Sequence, residues 1–170
     1  EPVIENKPVV DDFEAYDSFE YEQIGNYTLY DGDGLTPCGI FGVNHPNMGK
    51  PMAFQVWEPK APGVDVDASI WQPYSGQKCL VSWAALGQMY APVNDDWLIS
   101  PEFDGGTELS FYATMPVAQY SPETFEVLYS ENTNDPEDFR LLASEALLYP
   151  GWKNFKYALP AGARYFAIRY

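Results

Sequence analysis

The second half of the chain alternates apolar and polar residues with a period of two, the period of half-buried β-strands. Five groups of apolar residues would each face one side of a strand: Cys79, Val81 and Trp83; Leu109, Phe111 and Ala113; Phe125, Val127 and Tyr129; Phe155, Tyr157 and Leu159; Phe166, Ile168 and Tyr170. Turn-forming residues separate the groups at Gly105-Gly106, at Ser121-Pro122, and within 132–136 and 160–162. This spacing predicts an all-β, antiparallel two-sheet sandwich.

Three segments depart from this regular pattern. Residues 1–10 contain two prolines and no periodicity, so they are predicted to be a leader or linker to a single domain over 11–170. Residues 35–76 are rich in Pro, Gly and Asn and are predicted to be mostly loop, with a short strand at 52–57. Residues 139–148 suit either a short helix or a strand, and we favour the strand.

The charge balance limits the class of partner. The 170 residues include 25 acidic and 9 basic side chains, for a formal net charge of -16. Such a charge repels phosphate backbones and anionic membrane surfaces and attracts divalent cations. No apolar run approaches the ~18 residues of a membrane span. We therefore expect neither nucleic-acid binding nor membrane insertion.

Two features of the sequence leave alternatives open. Ten acidic residues lie in residues 1–36, and the last 19 residues carry four basic residues and no acid. This asymmetry fits an antiparallel pairing of the first and last strands, but it equally fits unrelated surface charges. Cys38 and Cys79 could form one disulfide in an exported protein, and Cys79 could equally be a buried free thiol.

Asp31-Gly32-Asp33-Gly34 is the motif that most resembles a ligand site. Two carboxylates supply hard oxygen ligands, and the glycines allow a turn tight enough for carbonyl groups to join them, as calcium requires. The loop is not a helix-loop-helix calcium loop, because Thr36 and Gly42 occupy the positions of its glycine and its bidentate glutamate. Taken alone, the motif also suits an acidic turn without metal.

Catalysis finds little support in the sequence. His45 is the single histidine and lies in a turn-like segment, so it is expected at the surface or at the rim of a ligand site. A Cys38–His45 nucleophile pair has no sign of an activated thiolate, and neither G-x-S-x-G nor H-E-x-x-H occurs. The abundance of acids keeps a carboxylate pair for glycoside hydrolysis open. We expect a non-catalytic protein.

Seven motifs occur in an order that points to a known family. They are DDFE at 11–14, DGDG at 31–34, DDWLISP at 95–101, ELSFYAT at 108–114, FEVLYS at 125–130, NDPEDF at 134–139 and LPAGARYFAIRY at 159–170. Together they resemble the cleaved adhesin domain of the gingipain haemagglutinin region and the related choice-of-anchor J domains of Bacteroidetes surface proteins.

The resemblance implies a jelly-roll β-sandwich similar to MAM, galactose-binding and carbohydrate-binding modules. It also implies secretion or display on the outer surface of a Gram-negative bacterium, and calcium in a structural role. The acidic positions that match are Asp12, Glu14, Asp31, Asp33 and Asp95. Family members usually continue past the last motif into a further strand, so the domain is expected to lack that strand or to receive it from a neighbouring domain or a second polypeptide.

The function that follows is adhesion to a host protein or glycan. Aromatic residues of the irregular segment would stack on the ligand, with Trp57, Trp71 and Tyr74 as candidates. Two alternatives remain open at this point. One is a secreted glycoside or peptide hydrolase domain of similar sandwich form, and the other is a structural spacer that binds nothing.

Overall fold

The computed structural model describes residues 8–67, 69–86, 94–104, 108–120 and 122–170, with the side chains of 146–148 left aside. The strands in this part of the chain are β1 Thr28–Asp31, β2 Gln55–Trp57, β3 Cys79–Val81, β4 Asp96–Ile99, β5 Glu108–Ala113, β6 Glu123–Ser130, β7 Arg140–Leu148, β8 Lys153–Ala158 and β9 Tyr165–Arg169. The helical turns described are two short 3-10 turns, Ala118–Tyr120 and Pro136–Asp138. No helix among the described residues has the length and apolar character needed to cross a membrane.

The main layer is a five-stranded antiparallel sheet in the order β1-β4-β9-β6-β7. One row of apolar side chains crosses all five strands, because the register places them directly opposite one another. The row consists of Leu29, Leu98, Ile168, Val127 and Ala143. Since successive side chains alternate between the faces of a strand, this row marks the face that packs against the rest of the protein.

The second layer consists of two separate two-stranded antiparallel sheets, β2–β3 and β5–β8. Phe125 and Val127 of the main sheet pack with Leu109 of β5 and Phe155 of β8. At the other end of the row, Leu98 packs with Ala53 and Phe54, with the partly buried Leu80 of β3 beside them. The chain is thus an antiparallel β-sandwich, and the finer jelly-roll topology stays a prediction.

Strand β6 contributes side chains to both faces of the main sheet. Its register with β7 shifts between Val127 and Leu128, as in a β-bulge. As the alternation of side chains along a strand requires, Val127 points into the sandwich, whereas Leu128 packs on the opposite face with Trp97, Ile99 and Ala167. Phe139 covers this second cluster at the start of β7, which keeps its apolar side chains out of water.

A third cluster lies under the irregular segment. Trp57 is 2% exposed and packs with Phe19, Met52, Ala61 and Trp83. The buried amide of Gln55 links the cluster to the loops: its Nε2 donates to the carbonyl oxygens of Phe19 and Pro46, each at 3.1 Å, and its Oε1 accepts from Trp83 Nε1 at 3.1 Å. Such satisfied polar groups allow a loop-rich region to keep a buried core.

Several predicted elements are confirmed. The short strand expected at 52–57 is present as β2, and 139–148 forms a strand, β7, rather than a helix. Of the two alternatives left open for the charge asymmetry, the direct pairing of the first and last strands does not occur, because β4 lies between β1 and β9 and pairs with both. The leader over 1–10 falls largely outside the described residues, as do the Gly105-Gly106 turn and Ser121 of the Ser121-Pro122 turn. Cys38 and Cys79 are free cysteines.

Candidate functional site

The Asp31–Gly34 loop leaves β1 in a conformation fixed by its own carboxylates. Asp31 Oδ1 accepts a hydrogen bond from the Gly34 amide, and Asp33 Oδ1 accepts one from the Leu35 amide, each at 2.6 Å. Gly34 has a φ of 63°, in the left-handed region that glycine adopts without strain. Both aspartate side chains are therefore oriented by the turn that carries them.

A second loop, which leads into β4, is tied to the first. The Gly32 amide donates to the Asp95 carbonyl oxygen at 2.7 Å, and the Asp95 amide donates to Asp33 Oδ2 at 3.0 Å. A Cβ atom on Gly32 would collide with Asp95, so the close approach of the two loops requires glycine at this position.

The pairing of β1 with β4 then places Asp31 directly opposite Asp96. Asp31 lies two residues after Leu29 and Asp96 two residues before Leu98, so both side chains are on the inner face of the main sheet. Ser82, which directly follows β3, donates from its Oγ to Asp96 Oδ2 at 3.3 Å. The two carboxylates therefore lie between the layers, at one edge of the sandwich.

Asp31, Asp33 and Asp96 form one cluster, which we call the acidic cluster. Each contributes an oxygen, and these oxygens all lie within 4.8 Å of one another. Asp31 and Asp33 are half-buried, and Asp96 is only 4% exposed. Burial, together with the charges of Asp33 and Asp31, raises the pKa of Asp96 to about 8. The protein thus holds a carboxyl group where its ionised form is disfavoured unless a cation accompanies it.

Among the described residues, no lysine or arginine forms an ion pair with the acidic cluster, so basic side chains do not supply that cation. The nearby Arg169 is engaged elsewhere: its Nε lies 2.7 Å from Asp95 Oδ1 and its Nη1 lies 3.2 Å from Glu126 Oε2. Its guanidinium also lies over the Trp97 ring, 5.1 Å from the centroid. Like charges directly opposite on paired strands destabilise a sheet, so the acidic cluster is electrostatically costly without a bound cation or proton.

The geometry suits a hard divalent cation. Two oxygens bound to one calcium ion at about 2.4 Å each can lie at most about 4.8 Å apart, and the three carboxylate oxygens lie within that limit. Calcium takes six to eight oxygen ligands, so backbone carbonyls or water would complete the set. A proton shared within the cluster is the chemical alternative to a metal ion.

The structure separates the other three acidic residues predicted from the sequence. Asp12 Oδ1 accepts from the Glu14 amide at 3.2 Å, within its own turn. Glu14 Oε1 accepts from the amides of Gln77 and Lys78, at 2.6 and 2.9 Å, and so holds a distant loop. Asp95 Oδ1 accepts from Trp97 Nε1 at 2.7 Å and pairs with Arg169. Of the predicted set, the acidic cluster contains Asp31 and Asp33 alone.

Asp96 is the residue that the sequence prediction missed, although it adjoins the predicted Asp95. The available signal was the alternation in residues 96–100, where Asp96, Leu98 and Ser100 share one face of the strand and Trp97 and Ile99 share the other. The choice between the adjacent aspartates depends on which face is internal. That face is set by the pairing of β4 with β1, which the sequence does not reveal.

The three aromatic residues predicted to bind a ligand have different environments. Trp57 lies in the core beneath the irregular segment, so it has no free face for a ligand, contrary to the expectation from the sequence. Trp71 is partly buried against the same core, and its carbonyl oxygen accepts from Trp57 Nε1 at 3.2 Å. Tyr74 is 52% exposed and remains available.

His45 is buried rather than exposed, which corrects the expectation of a surface or rim histidine. Its side chain is 8% exposed and lies among the rings of Phe19, Trp57 and Trp83. Nδ1 lies 3.1 Å from the Pro46 carbonyl oxygen, and Nε2 has no hydrogen-bond partner among the described residues. Desolvation lowers the pKa of His45. The residue is part of the core because the loop that carries it folds over the tryptophans.

Comparison with solved structures supports the sandwich. The K2 cleaved adhesin domain of Lys-gingipain superposes with a TM-score of 0.66 at 18% identity, covering 93% of this chain and 86% of that one. The K1 and K3 cleaved adhesin domains of Lys-gingipain from Porphyromonas gingivalis W83 give TM-scores of 0.62 and 0.59 at 24% and 23% identity. Each covers 86% of this chain and 80% of its own. These likenesses establish a shared fold.

A family profile extends the likeness from fold to sequence. The profile described as Cleaved Adhesin Domain matches residues 64–156, more than half of the chain. The match includes Asp96 but not Asp31 or Asp33. No curated protein matches the chain at a significant level. The pattern of strands, the superpositions and the profile agree, and the chain belongs to the Cleaved Adhesin Domain family.

Proposed function

We propose that the chain is a non-catalytic binding module, secreted or displayed on the outer surface of a Gram-negative bacterium, that is stabilised by calcium and binds a host protein or glycan. Membership of an adhesin family supports the binding role in general terms. The observation that carries the calcium part is the acidic cluster, in which Asp96 is almost fully buried and directly opposite Asp31.

The arrangement of the acids favours an ion site over a hydrolytic pair of carboxylates. Glycosidases place two carboxyl groups on either side of a scissile bond, about 5 to 9.5 Å apart, with room for a sugar between them. Here three carboxylate oxygens lie within 4.8 Å of one another and Asp96 is buried. A sugar ring would have little access to such a group, whereas a bare ion fits among its oxygens.

Calcium would act on stability rather than on chemistry in this proposal. An ion among Asp31, Asp33 and Asp96 would bind the edge strand β1 to the adjacent strand β4 and would fix the loop that leaves β1. A ligand that binds only the native state stabilises it by mass action, by about 2.7 kcal/mol at a hundredfold excess over its dissociation constant. For a protein of this size, that corresponds to a rise in melting temperature of about 5 to 11 °C.

Thermal unfolding in calcium and in chelator tests the calcium part directly. The melting temperature should rise in calcium, magnesium should act more weakly, and an Asp31→Asn/Asp33→Asn double variant should lose the response. Isothermal titration of the chelated protein should give about one calcium ion per chain. Equal melting temperatures with and without calcium would refute a stabilising ion.

The binding part needs a separate experiment on the same protein. Immobilised host matrix proteins, their deglycosylated forms and a panel of glycans should be probed with the chain in calcium. Saturable binding in any of these arms is expected. The absence of binding in every arm would favour the alternative that the domain is a structural spacer.

A further inference from the structure

Three aromatic side chains gather on the outer face of the β5–β8 sheet, away from the acidic cluster. The rings of Tyr74 and Tyr112 stack in parallel, with centroids 3.6 Å apart and an interplanar angle of 11°. The Trp152 ring stands steeply against Tyr74, at 69° with centroids 6.1 Å apart. Tyr74 and Tyr112 are 52% and 42% exposed. We call these three residues the aromatic platform.

The strands place the platform among polar side chains that face the same way. Tyr112 lies opposite Asn154, and Ser110 lies opposite Lys156, in the β5–β8 pairing. Because side chains alternate along a strand, Trp152 shares this outer face with Asn154 and Lys156. The sheet therefore presents aromatic rings beside an amide, a hydroxyl and an ammonium group.

The loop that carries Tyr74 is held at both ends, so the platform is preorganised. On one side, Trp152 Nε1 donates to the Gln72 carbonyl oxygen at 3.2 Å. On the other side, the carboxylate of Glu14 accepts from the backbone amides of Gln77 and Lys78. A surface that is already ordered loses less entropy when a ligand binds.

The platform is close to neutral, in contrast to the rest of the chain. On the outer face of the two strands, Lys156 Nζ lies 4.0 Å from Glu108 Oε1, so the two charges offset each other. The chain as a whole carries a net charge of -16, which disfavours the approach of anionic ligands. The charge of this surface is thus complementary to a neutral ligand.

We infer that the aromatic platform is the site at which this domain binds a neutral glycan. A pyranose ring has one face of C–H groups that packs on a flat aromatic ring, and its hydroxyls require donors and acceptors at the rim. Tyr74 and Trp152 supply the aromatic surfaces, and Asn154 supplies both a donor and an acceptor. The inference rests on the proposed function and names the ligand class and the residues involved.

A glycan-binding assay with matched variants tests the site. The protein, in calcium, is applied to neutral oligosaccharides ending in galactose, glucose or N-acetylglucosamine, to their sialylated and sulfated counterparts, and to deglycosylated matrix proteins. The variants are Tyr74→Ala, Trp152→Ala and Tyr74→Phe. The control is Tyr120→Ala, which removes a tyrosine that is 65% exposed but lies in the Ala118–Tyr120 turn, outside the platform.

The unmodified protein should bind neutral oligosaccharides. Tyr74→Ala and Trp152→Ala should each weaken that binding about tenfold, as expected for the loss of one aromatic contact. Tyr74→Phe should retain binding, because it keeps the ring, and Tyr120→Ala should match the unmodified protein. Melting temperatures in calcium establish whether each variant is folded. If an alanine variant is not folded, Tyr74→Phe provides the comparison.

Each other outcome has a definite meaning. Neutral-glycan binding that survives both alanine substitutions would overturn this site. A preference for sialylated or sulfated glycans would overturn the assignment of a neutral ligand. Binding to deglycosylated proteins without any glycan binding would overturn the inference and leave the proposed function intact. Absence of binding in every arm would overturn both.

Discussion

Replacement of Asp96 by asparagine should stabilise the protein in the absence of calcium and should remove most of its response to calcium. Asparagine has nearly the same shape as aspartate and can still accept from Ser82 and Asn94, whose side chains lie 3.3 Å from Asp96 Oδ2. It removes the buried charge opposite Asp31. The substitution therefore separates the electrostatic role of Asp96 from its packing.

The size of the effect without calcium follows from the pKa of Asp96. Its folded-state pKa of about 8 lies above the unfolded value of about 3.9, so the native state binds more protons between these values. The contribution of Asp96 to the stability is then present at low pH and is lost as the pH rises towards 8. At pH 7 this amounts to on the order of 4 kcal/mol, at about 1.4 kcal/mol for each pH unit. Asp96→Asn removes this cost. A gain of half of it in the free energy of unfolding would raise the melting temperature by about 4 to 8 °C.

In calcium, this advantage of the variant should disappear. The unmodified protein should gain about 5 to 11 °C at a hundredfold excess of calcium over its dissociation constant. The Asp96→Asn variant should gain less than about 2 °C, because an amide oxygen is a much weaker calcium ligand than a carboxylate.

Differential scanning calorimetry at pH 7, in chelator and in calcium, measures both effects on the same samples. Asp65→Asn is the control, because it removes an exposed aspartate that is not part of the acidic cluster. The reasoning is refuted if Asp96→Asn keeps the calcium response of the unmodified protein. It is also refuted if the variant is destabilised equally in both buffers, since Asp96 would then act only through its hydrogen bonds.

Three further predictions concern residues outside the acidic cluster. The lowered pKa of His45 means that its imidazole binds a proton more readily in the unfolded state, so the stability of the protein should fall as the pH drops below about 6.5. Urea unfolding at pH 7.5 and 5.0 should show this loss. His45→Leu should abolish the share of the loss that is due to the imidazole. Trp57→Ala should cost about 3 to 5 kcal/mol in urea unfolding, as for other large buried aromatics, and a cost below about 1 kcal/mol would contradict its place in the core. Glu14→Ala should destabilise the protein by about 1 to 3 kcal/mol, because it removes the oxygen that accepts two backbone hydrogen bonds. The calcium-induced rise in melting temperature should persist, and its loss would make Glu14 a metal ligand after all.

The regular strands were predictable because their periodicity is local. Leu109, Phe111 and Ala113 alternate with exposed residues along β5, and Phe155 and Tyr157 do so along β8, so the sequence alone shows which face is buried. Strand β1 has only four residues within an acidic segment, and its apolar content is too small to be recognised without its partner β4.

The candidate site was only half predictable, for a related reason. Asp31 and Asp33 are recognisable in the sequence as candidate ligands because the adjacent glycines permit a tight turn. The choice of Asp96 over Asp95 depends on strand pairing, and a shift of one residue reverses the faces. The surroundings of Glu14 and Trp57 were not predictable, because they depend on residues far away in the sequence: the loop at 76–78 for Glu14, and Phe19 and Trp83 for Trp57.

Because Asp31 lies on an edge strand, the proposed calcium site would link the ordering of the domain to the calcium concentration of the compartment that it occupies. Within the described part of the chain, strand β1 pairs only with β4, so its attachment is set by four residue pairs, the last of which is two aspartates. Extracellular calcium modules have dissociation constants of about 0.1 to 1 mM, well above the calcium level inside a cell. In an exported chain, as proposed above, a site of that strength would leave this edge loosely attached during synthesis and would secure it in the calcium-rich exterior.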